Sequence, residues 1–142
     1  MKRTDILVAV IDGQGGGMGR QIVSEIKAAF PNAVVRAVGT NTAATEAMRK
    51  AGADITATGE NAVLVGARKA RVIVGPVGIV IADALHGEIT PEMARAVGQS
   101  DAVRVLIPVN QCDNLVAGME KQPLGRLVES AMDLIRGVMQ AP

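Results

Sequence analysis

Along the chain, short runs of β-branched and aliphatic residues alternate with longer segments whose apolar positions recur every three or four residues. The runs Ile6 to Ile11, Val34 to Val38, Val72 to Val74 and Val103 to Val109 have the length of strands, and a less apolar one spans Ile55 to Thr58. Runs that are apolar at successive positions, rather than at every second one, belong to strands buried on both faces, as parallel strands are. The spacing predicts a helix from about Met18 to Phe30, with Met18, Ile22, Val23, Ile26, Ala29 and Phe30 on one face and Arg20, Ser24 and Lys27 opposite. Pro31 and Asn32 end it. A second helix is expected from Thr42, as N-cap, to Ala51, closed by Gly52 in a left-handed conformation. A third covers about Asn61 to Ala70. Beyond an apolar stretch from Val77 to Leu85, Thr90-Pro91-Glu92 reads as N-cap, first-position proline and first-turn carboxylate of a fourth helix that ends near Gly98. The last helix, Leu124 to Met139, carries a broad apolar stripe through Leu127, Val128, Ala131, Met132 and Ile135.

Strands and helices alternating in this way form βα units. Right-handed crossovers arrange five of them as a doubly wound α/β domain, a parallel sheet of order 3-2-1-4-5 with helices on both faces. With 142 residues the chain matches one such domain and leaves almost nothing for a second.

Composition narrows the function classes. Although 49% of residues are hydrophobic, no apolar run nears the roughly 20 residues of a membrane helix, so a soluble protein without a membrane partner is expected. Fifteen basic and 14 acidic residues are spread along the chain, without the clustering that grips a phosphodiester backbone, which argues against nucleic acid as a partner. The N-terminal apolar run is shorter than that of a signal peptide and stops at Asp12, so it reads as a first buried strand. Cys112 is the only cysteine, which excludes an intrachain disulfide and a multi-cysteine metal site. A cytoplasmic location is the expectation. With one Phe and neither Trp nor Tyr, the core is aliphatic and a base or flavin finds almost no ring to stack on.

Chemistry enters directly after the first strand, at Asp12-Gly13-Gln14-Gly15-Gly16-Gly17-Met18-Gly19-Arg20, which opens into the first amphipathic helix. Glycines there permit positive φ and let backbone N–H groups approach an anion, while the helix N-terminus adds about half a positive charge. Phosphate suits such a turn, and a strand before it and a helix after it are the context the motif requires. Gly13, Gly15 and Gly19 give G-x-G-x-x-x-G, one residue longer in the second gap than the dinucleotide fingerprint. The alternative is that the glycines only make a tight turn and let helix and strand pack closely.

The stretch Ile11 to Gly19 resembles the opening of a family of short bacterial proteins of unknown function. Gly39-Thr40-Asn41-Thr42, Ala57-Thr58-Gly59-Glu60-Asn61-Ala62, Gly75-Pro76-Val77-Gly78-Ile79 and Gly87-Glu88-Ile89-Thr90-Pro91-Glu92-Met93 are similar to its other shared segments, so the likeness covers most of the chain. The resemblance implies a Rossmann-like fold and brings no catalytic residue. More loosely, the turn resembles that of NADP-linked dehydrogenases whose motif closes with Met-Gly, as Met18-Gly19 does here.

Ligands of open parallel sheets lie outside the carboxyl ends of the strands. The residues expected there are Asp12 and Gln14, Thr40 and Asn41, Thr58, Glu60 and Asn61, Pro76, and Asn110 to Asp113. Those assigned to cofactor binding are Gly13, Gln14, Gly15, Gly16, Gly17, Met18, Gly19, Thr40, Asn41, Thr58, Pro76 and Asn110. An NAD-selective site carries Asp or Glu at the end of the second strand. Gly39, Thr40 and Asn41 stand there instead, and Thr40, Asn41 and Arg49 could donate to a 2′-phosphate, which tilts the expectation from NAD toward NADP. Asn41 and Thr42 fit equally well as helix caps. His86 has the chemistry of an acid or base and Cys112 that of a nucleophile, but neither has partners at a telling spacing. Glu60 and Asp12 are carboxylates for Mg²⁺ only if Glu60 is more than a helix-dipole partner, and no metal site is assigned. The resulting expectation is a nucleotide-binding module for NADP or NAD, a sensor or cofactor subunit without a self-contained catalytic site, forming a homodimer. A small oxidoreductase with a site shared across that dimer and a structural subunit without ligand are the alternatives.

Overall fold

A computed structural model describes residues 7–109 and 113–141. Five parallel strands, β1 (Leu7–Asp12), β2 (Val34–Gly39), β3 (Ile55–Thr58), β4 (Val72–Pro76) and β5 (Val103–Ile107), form one sheet in the order β3-β2-β1-β4-β5. Five helices, α1 (Gly17–Ala29), α2 (Thr42–Lys50), α3 (Glu60–Lys69), α4 (Pro91–Gly98) and α5 (Leu124–Met139), cover its two faces, as the alternation of runs predicts.

Alternate side chains of the central strands feed two cores. Val8, Val10, Val35, Ala37, Val72, Val74, Val105 and Ile107 point to one face, against Ile22, Val23 and Ile26 of α1 and Val128, Met132 and Ile135 of α5. Ala9, Ile11, Val38 and Ile73 point to the other, against Val63 of α3, Val97 of α4, and Leu85 and Ile89 of the long connection after β4. Both faces of β1 are therefore dry, and its six residues are all buried, which is why its sequence is apolar without alternation. The edge strand β3 has Ile55 and Thr58 exposed and reads correspondingly weakly.

Local details differ from the sequence pattern, most clearly at the start of α2 and the end of β5. The cap of α2 is Asn41, whose Oδ1 accepts the Ala44 amide at 2.8 Å, and Thr42 is the first helical residue. Asn and Thr are both good caps, and the extended backbone of Asn41 decides between them. Strand β5 ends at Ile107, before Val109. The stretch from Val77 is a 3-10 turn to Val80 followed by a compact loop, residues 81–89. No helix among the described residues is long and apolar enough to cross a membrane.

Candidate functional site

The site grows out of the register of β1 and β2. Asp12 lies opposite Gly39, and the Thr40 amide donates to the Asp12 carbonyl at 3.0 Å, extending the ladder one step past the strands. This brings Thr40 beside Gly13, where a Cβ would come within 2.5 Å of both Thr40 Oγ1 and Glu88 Oε1. A side chain at position 13 would have to displace the Thr40 hydroxyl and the Glu88 carboxylate from these places. The turn then reverses at Gln14, with φ +51°, closed by the Gly16 amide donating to the Gly13 carbonyl at 3.0 Å.

The five glycines have separate reasons. Gly16 has φ +74° and sits against Ala44, where a Cβ would lie 2.8 Å from the Ala44 Cα, so α1 and α2 meet there backbone to backbone. Gly19 faces Met48 Sδ at 2.7 Å and Asp12 Cβ at 2.8 Å from the position of its absent Cβ, which makes it the glycine of close helix and strand packing. Gly15 and Gly17 are exposed, a Cβ on either would meet nothing within 4 Å, and neither has positive φ. Packing explains three of the five; nothing within the described chain explains Gly15 and Gly17.

Two carboxylates frame the turn. Asp12 is 7% exposed and is the one buried charged residue among those described. Its Oδ1 accepts the Gly13 amide at 2.8 Å and its Oδ2 the Gly19 amide at 2.7 Å. Burial pushes its pKa up against the pull of those two amides, and the nearby charge of Glu88 pushes the same way. Glu88, from the loop after β4, reaches over the turn: Oε1 accepts from the Gln14 amide and the Thr40 hydroxyl, each at 2.8 Å, and Oε2 accepts from Asn41 Nδ2 at 2.9 Å. Partial burial raises the Glu88 pKa, but the bonds from Gln14, Asn41 and Thr40, with His86 nearby, outweigh it and hold the carboxyl below its ordinary value. Asn41 Nδ2 also donates to the Gln14 carbonyl at 2.9 Å, so one side chain caps α2 and ties it to the turn.

The structure thus brings together Gly13, Gln14, Thr40 and Asn41, with Gly15 and Gly17 exposed on the rim and Gly16 buried against Ala44. The Met18 side chain is in the core, so only its backbone faces the turn. Among the described residues the amides of Gly17 and Met18, the first two of α1, have no acceptor, while Gly19 gives its amide to Asp12. Thr58 is turned aside, its hydroxyl 2.6 Å from that of Thr45 on α2. Pro76 is buried at the end of β4. Asn110, like Gln111 and Cys112, lies outside the described residues. Arg49 pairs with Glu46 of its own helix. Glu60 accepts from the Thr90 hydroxyl, which joins α3 to the cap of α4, and no group of three metal-ligating side chains occurs among the described residues.

Glu88 is the residue the sequence reading passes over. It follows Gly87 in a loop without hydrophobic period, and its partners are 74, 48 and 47 positions away. The usable signal was only that it falls in a segment shared with the resembled family.

A family model described as "Domain of unknown function (DUF3842)" matches residues 7–140. No curated protein matches the chain.

Proposed function

We propose that the chain, which belongs to the DUF3842 family, is a nucleotide-binding module that takes NAD or NADP at the turn between β1 and α1, as a sensor or cofactor subunit. The observation that carries this reading is the pair Gly15 and Gly17. Both are exposed and have open space where a side chain would stand, beside two amides at the start of α1 that have no acceptor among the described residues. Glycine lowers stability at such positions relative to alanine, and at the start of a helix after a strand it lets a ligand approach the backbone closely. A pyrophosphate fits that role because helix N-terminal amides and the dipole favour an anion.

The Asp12 carboxylate lies on the inner side of the same turn, where it takes the third amide of α1 and leaves the first two for the ligand. Binding is tested with the purified full chain. Its lack of Trp and Tyr leaves absorbance near 280 nm almost nil, so a co-purifying nucleotide dominates the spectrum. Calorimetric titration with NAD⁺ and NADP⁺, repeated on Gly15→Val, should show binding that the variant loses while its melting temperature stays the same. Equal affinity in the folded variant would overturn the assignment of the turn.

A further inference from the structure

At the end of β2, where a dinucleotide fold often carries the acid that accepts the ribose hydroxyls, this chain has Gly39, Thr40 and Asn41. A carboxylate nevertheless stands there. It belongs to Glu88 and comes from the loop after β4, held by Thr40, Asn41 and the Gln14 amide. Resting on the nucleotide reading above, we infer that Glu88 is the specificity residue of the site: its carboxylate accepts from a free ribose 2′,3′-diol and rejects a 2′-phosphate.

The acceptor count allows it. An ionised carboxylate has about four lone-pair positions, of which three are filled, leaving one on Oε2 beside Asn41. The Thr40 hydroxyl, while it donates to Glu88, keeps lone pairs that can accept from a second ligand hydroxyl. A 2′-phosphate at the same place would bring two or so negative charges against a carboxyl whose three donors hold its pKa below the ordinary value, with the Asp12 carboxyl close behind the turn. Arg49, the donor to a 2′-phosphate that the sequence offers, is paired with Glu46 of its own helix. On this inference the preference runs to NAD, against the tilt toward NADP that the end of β2 suggests by itself.

The loop is built to hold this carboxylate still. Asp83, Leu85 and His86 have φ of +67°, +57° and +56°, followed by Gly87 at +88°. Such conformations cost non-glycine residues free energy and persist where the surroundings enforce them, commonly at functional sites. Here Leu85 and Ile89 are buried anchors, and the Asp83 amide donates to the Ile89 carbonyl at 2.7 Å while the Ile89 amide donates to the Ala84 carbonyl at 3.1 Å. Glu88 is carried between those anchors, so little freedom is left to lose when a ribose binds.

The test is calorimetric titration of the full chain with NAD⁺ and NADP⁺, on wild type and Glu88→Gln. The wild type should bind NAD⁺ at least tenfold more tightly, and Glu88→Gln should bring the two within about threefold, with a native circular dichroism spectrum. Wild type that binds NADP⁺ as well as or better than NAD⁺ overturns the inference without recourse to a variant, as does a folded Glu88→Gln that keeps the full preference. In both cases the nucleotide site itself stands. Wild type that binds neither dinucleotide overturns the nucleotide reading and this inference with it.

Discussion

The carboxylate of Asp12 accepts the backbone amide of Gly19 at 2.7 Å, so the last residue of β1 caps the helix that follows it from within the domain. Asp12→Ala strands that amide and the Gly13 amide in a buried place. The expected loss is about 2 kcal/mol, seen as a fall in melting temperature of roughly 8 °C for a chain of this size. Thermal denaturation at neutral pH checks it; a change below 2 °C would mean that water satisfies both amides.

The pH dependence of stability should separate the two carboxylates. Glu88 has a folded-state pKa below its ordinary 4.5, so its stabilisation is complete above 4.5 and is lost as pH falls through the folded value. Asp12 runs the other way: its folded-state pKa lies above 3.8, so stability declines as pH rises from 3.8 through that value. Glu88→Gln should therefore melt lower than wild type at pH 7, by about 1 kcal/mol of stability, with the gap closing on acidification below 4.5. Melting curves across the acid range, with His86 and Asp12 as the charged neighbours of Glu88, read this directly. A gap independent of pH would show that charge is not what Glu88 contributes.

The glycines of the turn should divide by position. Gly19→Ala forces a Cβ to 2.7 Å from Met48 Sδ and 2.8 Å from Asp12 Cβ, and overpacking of this kind costs about 1–3 kcal/mol. Gly17→Ala meets nothing and replaces a poor helix former by the best, so it should gain about 0.5 kcal/mol while weakening nucleotide binding. Paired measurements of melting temperature and calorimetric affinity distinguish the two effects. A Gly17→Ala chain that is both more stable and fully competent would remove the ligand reason for that glycine.

The start of α4 offers a simpler check. The Thr90 hydroxyl accepts the Met93 amide at 3.2 Å and donates to Glu60. Thr90→Ala should cost about 1 kcal/mol in chemical denaturation, and Thr90→Ser should recover most of it.

A homodimer is proposed on the side of β5 and α5, where Val103 is 48% and Leu134 59% exposed. Light scattering at micromolar concentration should return twice the chain mass, and Leu134→Glu should halve it. A monomeric wild type would count against the dimer and leave the site untouched.

The sequence by itself determined the five strands, the five helices and their order, because burial on both faces writes a continuous apolar run into β1 and β4 and a helical period into α1 and α5. It also determined the turn, since Gly13 to Gly19 between a strand and a helix is a local signal. Only the tertiary structure decided which glycines are dictated by packing, for that depends on Thr40, Ala44, Met48 and Asp12 as neighbours. It alone placed the Glu88 carboxylate against Thr40 and Asn41 at the end of β2. Hydrophobic period records which face of an element is dry, whereas a hydrogen bond between Glu88 and Thr40 across 48 positions exists only once β1 and β2 have paired and the strained loop after β4 has closed over them.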